Sequence, residues 1–140
     1  MKRFTVWRPL VLALSLTAAL AGTASASVTS LSMDPTAQLS PGRLHATLTG
    51  SVTCDPGDNL SISGQIVQPK TASGFGFLSG FPCDGTAQPL ALDVSAGGIL
   101  GAAGTFKAGK ATAQVSTSIC DPWFFVCSST YVDDTIRLVK

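Results

Sequence analysis

Hydrophobic and polar positions alternate along most of this chain. Leu44, Ala46, Leu48, Gly50, Val52 and Cys54 fall on one side of a run whose other side is His45, Thr47, Thr49, Ser51 and Thr53. A period of two held this long, in a segment rich in Thr and Val, predicts a strand with one buried and one wet face. Asp55-Pro-Gly-Asp-Asn59 interrupts the run, and Leu60, Ile62, Gly64 and Ile66 then alternate with Ser61, Ser63 and Gln65. Pro fixes φ and Gly and Asn tolerate positive φ, so the two runs predict a β-hairpin closed by that turn.

The same pattern returns three times. It places Leu90, Leu92 and Val94 inward over 88–95, and Ala111, Ala113, Val115, Thr117 and Ile119 inward over 105–119. It also places Val132, Ile136 and Leu138 inward over 131–139. Residues 27–39 read as a lead-in or first edge strand, with Pro35 limiting how centrally it can pair. Residues 70–82 break the pattern. Ser73-Gly-Phe-Gly-Phe-Leu-Ser-Gly-Phe81 is Gly-rich and aromatic, and its glycines weaken it as a strand, so it reads as an aromatic loop. Residues 97–104 read as a flexible connection and Lys107-Ala-Gly-Lys110 as a bulge or bend. No window carries an apolar 3.6-residue repeat. Six or seven short strands with Gly/Pro/Asp turns predict an all-β domain. The expected architecture is a two-sheet antiparallel immunoglobulin-like sandwich, with a small β-barrel as the alternative.

The first 26 residues change the charge account. Lys2, Arg3 and Arg8 precede an apolar stretch from Pro9 to Gly22, and Ala24-Ser-Ala26 supplies the small residues of a cleavage site. That order predicts a secretory signal peptide over 1–26 and a single exported domain over 27–140, with no membrane span after cleavage. The 114 residues from Ser27 onward retain six basic side chains against eight Asp, a formal charge of −2 instead of +1. With basic side chains outnumbered by carboxylates, no basic patch is expected to bind nucleic acid or anionic lipid.

Four cysteines in an exported domain imply two disulfides. Cys120 and Cys127 are spaced to bridge a hairpin mouth, which leaves Cys54 with Cys83; two other connectivities exist. Their spacings match no zinc pattern, so neither a metal nor a cofactor is expected.

Chemistry is sparse. His45 is the single histidine and falls on a wet strand face, and no Gly-x-Ser-x-Gly elbow is present. Asp133 and Asp134 are adjacent and would point to opposite faces, while Asp55 and Asp58 suit turn hydrogen bonds. No catalytic residue is therefore expected. Of eight aromatic residues beyond position 26, six fall in the two expected loops: Phe75, Phe77, Phe81, Trp123, Phe124 and Phe125. These six are the candidate contacts for a hydrophobic ligand or partner, unless they fold inward to complete a core lined with Ala, Gly and Thr.

The run Ala46-Thr-Leu-Thr-Gly-Ser-Val-Thr-Cys-Asp-Pro-Gly-Asp58, with Cys83-Asp-Gly-Thr-Ala-Gln88 and Phe106-Lys-Ala-Gly-Lys-Ala-Thr-Ala113, resembles small exported actinobacterial β-sandwich proteins of unknown function. In size, export, all-β pattern and two disulfides, one across a short loop, the chain is more distantly similar to the enediyne-binding apoproteins. That likeness implies an immunoglobulin-like sandwich holding an apolar ligand in a cleft. No ligand-contact motif matches residue by residue. The functional expectation is a non-enzymatic exported binding or cell-envelope interaction module, with a small hydrophobic-ligand carrier and a protease inhibitor as alternatives.

Overall fold

A computed structural model describes residues 27–97, 104–120 and 127–140. Among the described residues every regular element is a strand: β1 Val28–Leu39, β2 His45–Cys54, β3 Asn59–Gln68, β4 Ala72–Pro82, β5 Gln88–Ala96, β6 Gly109–Cys120 and β7 Cys127–Val139. Hydrogen bonding runs β1-β2-β5-β4-β3-β6-β7 and returns to β1, closing a barrel. The all-β expectation is met. The two-sheet sandwich gives way to its alternative, the small barrel.

Closure depends on two narrow seams. β1 meets β7 in parallel over Thr36–Gln38 against Arg137–Val139, just past a bulge at Asp34–Thr36 that holds Pro35. β4 meets β5 only through Gly74 with Ala96 and Phe75 with Ser95. A Cβ on Gly74 would lie 2.6 Å from the Ser95 carbonyl oxygen and 2.7 Å from the Phe106 ring, and one on Gly76 would overlap the Asp93 carbonyl. The glycines that lower intrinsic strand preference are what admit β4 to the barrel, because only a residue without a side chain allows so close an approach. Residues 72–82 are consequently a strand and not the expected loop.

A second correction concerns the expected hairpin. β2 pairs with β1 and β5, whereas β3 pairs with β4 and β6, so the two runs do not pair with each other. The turn between them is fastened to other segments: Gly57 N–H donates to the Cys83 carbonyl, Cys83 N–H to the Asp58 carbonyl and Asp55 N–H to the Ser27 carbonyl. Alternation fixes which way a side chain faces, but strand partners are chosen by contacts distant in sequence.

Both expected disulfides are present. Cys54–Cys83 ties the end of β2 to the residue following β4, and Cys120–Cys127 joins facing residues of the β6–β7 ladder, with Cα atoms 4.0 Å apart. In the chain-entropy account the wider ring is worth about 3.6 kcal/mol and the narrower about 2.5.

The barrel interior is a packed core. Leu48, Val52, Leu60, Ile62, Ile66, Val94 and Val115 fill it, largely the positions marked by alternation. Phe106 is the largest fully buried side chain and packs over Gly74. It precedes β6, which starts at Gly109 and not at the expected 105. The buried Gln68 amide holds that segment, accepting from Lys107 N–H at 2.9 Å and donating to the Lys107 carbonyl at 2.8 Å. Its amide is thus satisfied, which offsets the cost of burying it.

Candidate functional site

The outer surface of β4, β3, β6 and β7 is built in rungs. Phe77 pairs with Ser63, Ser63 with Ser116 and Ser116 with Tyr131. The neighbouring rung is Phe75, Gln65, Gln114 and Asp133. Paired residues share a face, so each rung carries an aromatic ring at one end and hydroxyls or amides along its length. Phe75 is 41% exposed, Phe77 59% and Tyr131 62%. Their outward direction follows from register: Gly74 and Gly76 take the inner positions, which forces Phe75 and Phe77 outward.

Between the aromatics lies a shallow groove of about 140 Å³, lined by Ser63, Gln65, Phe75, Gln114, Ser116 and Tyr131. Its floor is partly ordered by its own hydrogen bonds. Ser63 and Ser116 hydroxyls are 2.7 Å apart, and Gln114 Nε2 donates to Asp133 Oδ2 at 3.0 Å. The Tyr131 hydroxyl donates to the same carboxylate oxygen at 3.3 Å. The Asp133 charge raises the Tyr131 pKa above its ordinary value, with desolvation and that hydrogen bond adding to the effect. The phenol is therefore a neutral donor at physiological pH. Gln65 keeps its amide without a protein partner among the described residues.

The sequence-selected contacts separate. Phe75 and Phe77 stand on this face. Phe81 is half-buried and packs against the core, so it serves the barrel more than the surface. Trp123, Phe124 and Phe125 lie outside the described residues. Tyr131 was missed because it sits in an expected strand; its odd-numbered register with Asp133, opposite the inward Val132, was the available signal. The choice between core completion and surface divides along the same line: Phe106 completes the core, and Phe75 and Phe77 do not.

His45 offers a superficial Ser–His–Asp grouping. Asp93 Oδ2 and Ser95 Oγ each lie 3.1 Å from Nδ1, on an exposed part of the wall. A proton relay needs the carboxylate and the hydroxyl on opposite ring nitrogens, so this arrangement cannot activate the serine. At the upper end, Asp55 Oδ2 accepts from the Ser27 backbone N–H at 3.1 Å and hydroxyl at 2.9 Å, tying down the start of β1. No protein-family model matches the chain, and no curated protein is significantly similar to it.

Proposed function

We propose that the protein is an exported, non-enzymatic binding module of the cell envelope whose β4–β3–β6–β7 face takes a neutral carbohydrate chain. The observation that carries this reading is the groove with Phe75 and Tyr131 at its margins and a floor of amides and hydroxyls. A pyranose ring presents a C–H face and an edge of hydroxyls. It calls for an aromatic surface beside uncharged donors and acceptors, which is what the rungs supply. Asp133 is the only charged side chain on the two rungs, and no cation stands on them to attract an anionic polymer. Two disulfides are compatible with an extracellular location, and the N-terminal pattern supplies the export route. An enclosed apolar carrier is less well supported, because core side chains occupy the barrel axis.

Titration with soluble chito- and cello-oligosaccharides, followed by backbone amide shifts, tests the reading. Shifts should concentrate on β4, β3, β6 and β7, and Tyr131→Ala should weaken binding about five- to tenfold. Shifts confined to other strands, or none with any of these sugars while an apolar dye binds the face, would remove it.

A further inference from the structure

The six basic side chains that look scattered in sequence converge in space. Arg43 lies in the β1–β2 turn and Lys70 in the β3–β4 turn; Lys107 and Lys110 stand at the start of β6, and Arg137 and Lys140 at the end of β7. All these positions are at the lower end of the barrel, where β1, β3, β5 and β7 finish. Direct contacts and register agree. Phe106 N–H donates to the Arg43 carbonyl, Gln68 grips Lys107, and Lys110 pairs with Arg137 across the β6–β7 ladder. None of the six forms an ion pair with a described Asp. Asp55, Asp58 and Asp84 occupy the opposite end, and Asp34, Asp133 and Asp134 lie along the wall. Asp93, beside His45, is the described Asp near the lower end, where cations therefore predominate.

Backbone conformation marks the same end independently. Arg43 and Lys70 are the only described non-glycine residues with positive φ, at 57° and 61°. Lys70 follows Pro69 in a turn closed by Thr71 N–H to the Gln68 carbonyl, at the position where Gly or Asn ordinarily stands. Long side chains adopt this region at an energetic cost, and such cost persists where it serves a site. Two shallow depressions open here, each lined by a pair of cations. Arg43 and Lys140 share one of about 290 Å³, and Lys110 and Arg137 share one of about 430 Å³. Leu44, 51% exposed, stands beside Arg43.

We infer that the lower end is a docking surface for an anionic phospholipid bilayer, with phosphate headgroups between the paired cations and Leu44 entering the interface. Charge complementarity selects an anionic partner. A bilayer fits better than a single polyanion strand because the cations are spread over a barrel end, carry an exposed apolar side chain among them and fall, among the described residues, around two separate depressions instead of along one groove. The surface is separate from the aromatic groove and does not depend on the carbohydrate reading.

The test is co-sedimentation of the full exported chain with vesicles of phosphatidylglycerol and phosphatidylcholine, against pure phosphatidylcholine. Binding should require the anionic lipid and disappear near 1 M salt, where the screening length falls to about 3 Å. Each cation near the surface contributes about fivefold, so Arg43→Gly with Lys70→Gly should weaken binding about 25-fold. Glycine suits both backbone positions, so the melting temperature should hold or rise, which separates lost docking from lost folding. Leu44→Ser should weaken vesicle binding and leave any binding of soluble polyphosphate unchanged. Equal binding to neutral vesicles, no response to the Gly pair, or polyphosphate binding with vesicle binding indifferent to Leu44→Ser would overturn the proposal.

Discussion

β4 and β6 both flank β3, yet they carry their bulk on opposite sides. β6 is an ordinary barrel strand, with Ala111, Ala113, Val115, Thr117 and Ile119 inward and Thr112, Gln114, Ser116 and Ser118 outward. β4 is inverted: Gly74 and Gly76 are buried, and Phe75 and Phe77 are exposed. The inversion has a steric cause, because β4 must approach the β5 backbone to close the seam and nothing larger than hydrogen fits on its inner side there. The space left inside is filled by Phe106, supplied from 32 residues beyond Gly74 in the sequence. Phenylalanine outside and glycine inside is therefore coherent with the packing, and it leaves an aromatic strand facing solvent beside the groove.

The contrast between β4 and β6 depends most on the ring packed inside the barrel. Phe106→Ala should cost about 3–5 kcal/mol in urea unfolding, since it empties the volume over Gly74 and removes the largest core side chain. A loss below 1 kcal/mol would mean that the ring is not the plug described. Gly74→Ala should cost about 1–3 kcal/mol, because the added methyl meets a backbone carbonyl that cannot rotate away. A stabilised variant would show that the β4–β5 seam is open in solution. Phe77→Ser should change stability by no more than about 0.5 kcal/mol, the range of an exposed position. A loss of several kcal/mol would return Phe77 to the core and end the inversion.

The smallest expected effect is spectroscopic. Asp133→Asn should lower the Tyr131 titration midpoint from its raised position, followed by phenolate absorbance. The raised folded-state pKa means that the folded chain favours the protonated phenol. This contribution is present below the ordinary tyrosine value and lost as pH rises through the folded one. An unchanged midpoint would separate Tyr131 from Asp133.

Much of the barrel was legible in the residues. Alternation marked Ala46, Leu48, Val52, Leu60, Ile62, Ile66, Leu92 and Val115 as inward, and cysteine spacing marked both disulfides. The half of the aromatic face contributed by Phe75 and Phe77 was visible as composition, though assigned to a loop. Tyr131 and the glutamines were hidden in the polar side of ordinary strands, and the gathering of six cations was hidden by their separation along the chain.

The residue pattern alone set which way side chains face in the regularly alternating strands, because polarity at a two-residue period is a local property. It also favoured the observed pairing of the cysteines through their spacing, out of three possible connectivities. Tertiary structure decided the strand partners, barrel closure, the outward turn of Phe75 and Phe77, and the charged end. Each of these depends on which distant backbone lies alongside, and close approach to that backbone set what could be accommodated between the strands.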